Sequence, residues 1–120
     1  MQVRQRAYLI DILRSAEAIN EYITGYDLEG FMKDARTQDA VLRRPMMVIG
    51  EAAARLTPET RAQFDALPFH KIAGMRNRVV HDYGQIDLEI VWETSCLHLP
   101  LVRTELSAWL EQTPRDLTGD

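Results

Sequence analysis

Apolar residues recur at three- and four-residue steps through the first part of the chain. They are Leu9, Ile12, Leu13, Ala16, Ile19 and Ile23. Charged residues of the same stretch, among them Asp11, Glu17 and Glu21, lie largely away from these positions on a helical projection. The pattern predicts an amphipathic helix over about residues 3–23 that buries one face, and Gly25 is expected to end it.

A second apolar pattern of helical spacing follows a short polar stretch. Its members are Val41, Val48, Ile49, Ala52 and Leu56. A turn is expected around Asp27–Asp34, and a helix over about residues 37–56 then begins with Thr37 as its N-cap. Pro45 falls inside this helix, where a proline lacks the backbone donor, so a local bend is expected there.

Capping residues and prolines divide the rest of the chain into further helices. Thr57 and Pro58 form an N-cap and a first helical position, so a brief helix to about residue 64 is expected. Pro68 opens the next helix, and Asp87 caps a last helix that runs to about residue 111 with a bend at Pro100. No alternating strand pattern is found in the sequence. The predicted fold is all-α, an up-and-down antiparallel helical bundle of four to five helices.

Length and composition are those of one domain. At 120 residues and 46% hydrophobic composition, the chain is long enough to bury a core. The predicted domain covers about residues 1–113, and a flexible tail is expected over about residues 114–120. No apolar run is long enough to span a bilayer, and the N-terminus lacks the apolar stretch of a signal peptide. Cys96 is the single cysteine, which indicates a reducing, cytoplasmic location.

The segment from Arg76 to Tyr83 carries the most distinctive chemistry of the chain. It reads Arg-Asn-Arg-Val-Val-His-Asp-Tyr. A guanidinium holds phosphate oxygens and an imidazole exchanges a proton near neutral pH, so the segment indicates phosphodiester chemistry. An Arg followed five residues later by a His is expected by chance roughly 0.3 times in such a chain, but adding the Asn and the Tyr lowers this to about 10⁻⁴.

The helix that carries this segment is expected to have two faces. The core positions are Phe69, Ile72, Met75 and Val79, and the opposite face has His70, Gly74, Asn77 and His81. The charged or titratable residues of this helix are all basic, on a protein of net charge −4, so any contact with nucleic acid is expected to be local. Arg76 lies about 140° from His81 on an ideal helix, so the two meet only through the long arginine side chain, a distorted helix end or a second copy of the chain.

With this segment the chain resembles the HepT-like branch of the HEPN superfamily, helical nucleases marked by Arg-Asn-x-x-x-His-x-Tyr. The resemblance extends over most of the chain, through Tyr22-Ile23-Thr24-Gly25, Phe31-Met32-Lys33-Asp34, Gln38-Asp39-Ala40-Val41, Val48-Ile49-Gly50-Glu51-Ala52-Ala53 and Leu99-Pro100-Leu101. Pro45 departs from the family, which more often has a helix-forming polar residue there. The resemblance implies a homodimer in which two copies of the motif border one cleft.

The resemblance implies that the chain is a metal-independent endoribonuclease, the toxin component of a type VII toxin–antitoxin system. His81 would then move protons, Arg76 would stabilise charge on the phosphate and Asn77 would orient groups by hydrogen bonds. The expected RNA-binding residues are Arg78, Lys71 and His70.

The resemblance also implies a partner, a minimal nucleotidyltransferase antitoxin that silences the toxin by adenylylating the motif tyrosine, Tyr83. No cofactor is expected. A second interpretation stays open, because binding a phosphate and cleaving a phosphodiester require the same kinds of residue. In that alternative the chain is a non-catalytic helical module that binds a nucleotide or docks a nucleotidyltransferase.

The remaining polar residues give weaker signals. No metal site is predicted, because His70 and His81 are eleven residues apart and the nearby carboxylates do not form a ligand set at a familiar spacing. His98 is expected to pack or to form a local hydrogen bond within the last helix. Glu51 is expected to be either exposed or paired with a buried base.

Overall fold

The computed structural model describes the backbone of residues 1–80 and 87–112 and the side chains of residues 1–74 and 87–112. The helices are α1 Val3–Ile23, α2 Leu28–Lys33, α3 Ala35–Val41, α4 Met47–Ala54, α5 Pro58–Ala62, α6 Phe69–Val80, α7 Leu88–Glu93 and α8 Leu99–Gln112, with two π-helical segments, π1 Leu42–Met46 and π2 Thr94–His98. The all-α prediction is confirmed. Within these residues no helix is long and apolar enough to cross a membrane. The predicted tail lies outside the described residues.

The core is arranged around α1. This helix packs against α3, π1, α4 and α8, while α6 packs against α4 and α7. All six apolar positions predicted for α1 are buried, from Leu9 to Ile23. In α6, Phe69 and Ile72 are buried as predicted, and the side chains of Met75 and Val79 lie outside the described residues. The helical periodicity therefore identified the faces that form the core.

Three predicted helix boundaries are confirmed, one by backbone conformation and two by hydrogen bonds. Gly25 has a φ of 86°, a conformation that glycine adopts without a Cβ clash, and it directly follows the C-cap of α1. The Thr57 hydroxyl accepts a 3.2 Å hydrogen bond from the N–H of Thr60 and so caps α5. The Asp87 carboxylate caps α7 by accepting from two backbone N–H groups, at 3.1 and 3.2 Å.

The start of the second long helical segment was predicted wrongly. A turn was expected over 27–34, but that stretch contains α2, and α3 begins with Asp34 as its N-cap rather than Thr37. Both residue types cap helices well, and the carboxylate comes first and accepts the N–H of Thr37 at 3.1 Å. The Tyr26 hydroxyl also donates to this carboxylate, and these hydrogen bonds lower the pKa of Asp34 below its ordinary value.

The short helix α2 is anchored by one aromatic residue. Phe31 is fully buried, and its ring centroid lies 5.2 Å from that of Trp92 in α7. Aromatic pairs at this separation add to the free energy of burial. The contact therefore holds α2 against α7.

The two π segments occur at or next to the prolines for which bends were predicted. Pro45 lies inside π1, and π2 ends two residues before Pro100. A proline has no N–H to donate and its ring clashes with the carbonyl four residues earlier, so a wider turn relieves the contact. In π2 the N–H of Leu99 donates to the carbonyl of Thr94, five residues earlier. The predicted second and last helices are each divided in this way.

Candidate functional site

The first turns of α6 hold two of the predicted RNA-binding residues at the surface. The helix begins at Phe69, and the N–H of Ile72 donates to the carbonyl of Pro68 at 3.0 Å. Because Phe69 and Ile72 are buried against the core, His70 and Lys71 are left exposed on the outer side. Burial of the apolar side of the helix therefore fixes the position of this basic pair.

The motif itself continues from the same helix. The backbone of Arg76, Asn77 and Arg78 belongs to the last part of α6, and their side chains lie outside the described residues. His81 and Tyr83 also lie outside the described residues. How the five side chains meet therefore remains a prediction, including the convergence of the arginine and histidine.

A groove of about 400 Å³ runs beside α6. Its lining residues are His70, Lys71 and Gly74 from α6, Ile90 and Glu93 from α7, and Thr94 and His98 from π2. The volume is in the range of sites that bind small ligands. On an ideal helix, positions 70, 74 and 77 fall on one face, so this wall leads along α6 toward the motif.

The polar side chains of this groove have no partners within the part of the chain that the structure describes. The side chains of His70, Lys71, Glu93 and His98 form neither a hydrogen bond nor an ion pair with any other described residue. Three of the four are exposed, and His98 is half-buried. The groove thus presents one ammonium, one carboxylate and two imidazoles, a set that can both donate hydrogen bonds to a ligand and accept them from it.

Two of these residues were not predicted as site residues. Glu93 was not singled out in the sequence. His98 was expected to pack or to bond locally; it is half-buried, and it lines the groove without a hydrogen bond to another described residue. The signal that points to them is Pro100, because it marks the interruption that becomes π2. Sequence periodicity for a regular α-helix assigns these two residues to different sides.

A larger cavity of about 560 Å³ lies between α1 and the α3–π1 segment. Two of its arginines are paired, Arg14 with Glu17 at 3.1 Å and Arg43 with Asp39 at 3.2 Å. Their charge is therefore largely compensated, and the cavity is not lined by α6. The smaller groove is the better candidate because the motif helix forms one of its walls.

Three other candidate features, a metal site, Glu51 and Cys96, contribute no described residue to this groove. Among the described residues, no group of three or more His, Cys, Asp or Glu side chains is placed to hold a metal ion. Glu51 is exposed on α4. Partial burial raises the pKa of the Cys96 thiol above its ordinary value, which disfavours the reactive thiolate.

Comparisons with known proteins agree with the motif. The family model described as Ribonuclease HepT-like matches residues 12–108. A protein of Caldanaerobacter subterraneus, provisionally named an RNase, is 33% identical over 89% of this chain and 95% of its own length. A similarly named protein of Methanocaldococcus jannaschii is 33% identical over 83% of this chain and 85% of its own. A protein of Thermococcus cleftensis, named a probable ribonuclease HepT, is 29% identical over 86% of this chain and 93% of its own length. No solved structure matches the chain significantly.

Proposed function

This chain belongs to the HepT-like ribonuclease family, and on that premise we propose that it is a metal-independent endoribonuclease. The observation that carries the proposal is the match over residues 12–108, which contains the whole segment from Arg76 to Tyr83. That segment supplies an anion-binding guanidinium and a group that titrates near neutral pH. The exposed basic residues at the start of α6 extend the same chemistry along one helix.

The proposed reaction is transfer of the phosphodiester to the neighbouring ribose hydroxyl. The 2′-oxygen attacks the phosphorus and loses its proton, the bond to the 5′-oxygen breaks, and that oxygen receives a proton. His81 takes or supplies these protons, Arg76 stabilises the negative charge that develops on the phosphate, and Asn77 orients the reacting groups. The products are a 2′,3′-cyclic phosphate and a free 5′-hydroxyl.

RNA is held by local positive charge in this proposal. The protein carries a net charge of −4, so its overall field repels a polyanion. His70 and Lys71 are exposed beside the groove, and Arg78 belongs to the same helix. We assign these three residues to contacts with RNA phosphates on either side of the cleavage site.

The wider biological role is proposed from the family. The chain acts as the toxin of a type VII toxin–antitoxin system, and its antitoxin is a minimal nucleotidyltransferase. That enzyme transfers an adenylyl group to the hydroxyl of Tyr83. The added phosphate carries a negative charge close in sequence to Arg76 and His81, so it competes with substrate for the same anion site.

A non-catalytic module is the second candidate. It is supported by the groove side chains that have no partner among the described residues, since they can hold a nucleotide without cutting it. The two classes are separated by incubating the purified chain with mixed RNA in the presence of a chelator, beside His81→Ala. Cleavage by the wild type alone supports the enzyme. Retention of RNA without cleavage supports the binding module.

Assembly gives a further test, because a homodimer would supply two motif copies to one cleft. A Cβ added at Gly74 meets no heavy atom within 4 Å among the described residues, so substitution there should not disturb the fold of one subunit. We expect the wild type and Gly74→Ala to have about twice the 13.8 kDa chain mass by light scattering. In the proposed dimer the groove of each copy opens onto the shared cleft, and Gly74→Glu should be monomeric, because the two added carboxylates repel each other across that cleft.

The wild type is measured at tens of micromolar, with circular dichroism as the control for folding. A wild-type monomer at that concentration contradicts the proposed dimer. A Gly74→Glu protein that remains dimeric shows instead that this face of α6 is not part of the interface.

A further inference from the structure

The position of π2 places two unassigned residues on one side of the groove. Glu93 is the last residue of α7, and His98 is the last residue of π2. They are five residues apart, which on a regular α-helix separates two side chains by about 140°. In a π turn the hydrogen bond spans five residues, so residues at this spacing stack about one turn apart. The wide turn therefore explains how both residues line the same groove.

The opposite wall is formed by α6, which is also the motif helix. His70, Lys71 and Gly74 line it, and the glycine leaves space because nothing described lies within 4 Å of an added Cβ. A ligand in this groove would therefore contact the motif helix on one side and the Glu93–His98 pair on the other. The site is continuous with the proposed catalytic helix but uses residues outside the motif.

The carboxylate of Glu93 decides which part of a nucleotide this groove suits. A site built only for phosphate contains cations and backbone N–H groups, and an acid there would repel the ligand. Glu93 is an acceptor without an internal partner among the described residues, and it lines the groove together with Lys71. Such an acceptor matches the amino and imino N–H groups on the Watson–Crick edge of a base, and imidazoles provide stacking surfaces for single-stranded RNA.

We propose that the groove between α6 and the α7–π2 segment is a base-reading subsite for one nucleotide of single-stranded RNA next to the cleavage site. Glu93 accepts hydrogen bonds from the base edge, and His98 stacks on the base or donates to it. Lys71 and His70 hold the adjoining phosphate. The inference rests on the proposed ribonuclease activity and adds the residues that set its sequence preference.

The preferred base follows from the carboxylate. Guanine presents an imino N–H and an amino group side by side, so both oxygens of Glu93 can accept from it at once. Adenine and cytosine present one amino donor on that edge, and uracil presents an imino N–H alone. The order of affinity should therefore place guanine first and uracil last. A bidentate contact of this kind discriminates against other bases by at least about fivefold.

The test uses binding and cleavage as separate readouts on the full chain. Uridine-rich oligoribonucleotides that differ at one central base carry 2′-O-methyl groups, so they cannot be cut through the 2′-hydroxyl. Their affinities are measured by fluorescence anisotropy for the wild type, Glu93→Gln, His98→Gln and the control Glu111→Gln. Glu111 is exposed at the end of α8, outside the groove, and loses the same charge. Unmethylated mixed RNA is cut in parallel and the ends are sequenced.

We expect the wild type and Glu111→Gln to prefer the guanine oligonucleotide by at least about fivefold over the all-uridine one, and Glu93→Gln to lose that preference. His98→Gln should weaken binding to every oligonucleotide. The distribution of cut sites should shift in Glu93→Gln, although cleavage continues.

Unchanged base preference in Glu93→Gln, with the protein folded by circular dichroism, overturns the subsite and leaves the ribonuclease proposal standing. Wild-type binding with the expected preference but no cleavage has the opposite meaning, since the subsite then survives and the proposed activity fails. A wild type that binds none of the oligonucleotides overturns the subsite.

Discussion

Replacing His81 by alanine is expected to lower the rate of RNA cleavage at least about a hundredfold, the usual loss for a general acid–base residue. Alanine cannot take the proton from the 2′-hydroxyl or return one to the leaving oxygen. Arg76→Ala is expected to cause a loss of similar size, because charge on the phosphate then develops without its guanidinium. Rates are measured on one labelled oligoribonucleotide under single-turnover conditions.

The matched control is Arg4→Ala, which removes an exposed guanidinium near the start of α1, on a different helix from the motif. It changes the net charge by the same amount as Arg76→Ala. We expect it to retain close to wild-type activity, since Arg4 is exposed and does not line the groove beside the motif helix. Full activity in His81→Ala, with the helical content intact by circular dichroism, contradicts the proposed role of this residue.

Adenylylation of Tyr83 is the second large effect that we predict. Co-expression with the cognate nucleotidyltransferase should add one or more adenylyl units to Tyr83 and abolish RNA cleavage. The modification introduces a bulky, charged phosphate two residues after His81, where it blocks substrate and occupies the anion site. Tyr83→Phe should remain unmodified and active in the same cells, so its expression should be toxic where the wild type is tolerated.

Tyr22 provides the control for this experiment, because its side chain is 44% exposed on α1. If the transferase modified any accessible tyrosine, the peptide containing Tyr22 would also gain mass. We expect tryptic mass spectrometry to find adenylyl groups on the Tyr83 peptide alone, and Tyr22→Phe to be silenced like the wild type. A silenced protein with an unmodified Tyr83 peptide shows that inhibition comes from binding instead.

Much of the fold could be predicted from periodicity and capping. The apolar positions of α1 form its buried face, and Thr57 and Asp87 cap the helices that they precede. These features depend on residues close together in sequence, so local rules describe them well. The identity of the helix faces required no knowledge of the neighbouring helices.

The sequence did not predict helix α2 or the first residue of α3. The stretch predicted as a turn forms α2, which Phe31 anchors by packing on Trp92, a residue far away in sequence. The start of α3 is a different case, because Asp34 and Thr37 are both good N-cap residues and lie three residues apart. Asp34 is the one that caps α3, and its carboxylate accepts from the Thr37 N–H and from the Tyr26 hydroxyl.

Some residues of the candidate site could likewise be predicted from local sequence, and others could not. Arg76, Asn77, His81 and Tyr83 were recognisable because they form one rare local string. Glu93 and His98 were not, because their shared position depends on a π turn next to Pro100 and on the packing of α7 beside α6. A proline predicts an interruption, but whether the helix bends or widens is decided by the packing around it.

The 3′ end left on a defined oligoribonucleotide, cut by the wild type in the presence of a chelator, tests the proposed chemistry most directly. The proposed reaction leaves a 2′,3′-cyclic phosphate or its hydrolysis product and a 5′-hydroxyl on the other fragment, and it allows no cleavage when the scissile nucleotide lacks its 2′-hydroxyl. A 3′-hydroxyl with a 5′-phosphate, or cleavage that stops when the chelator is added, would contradict it.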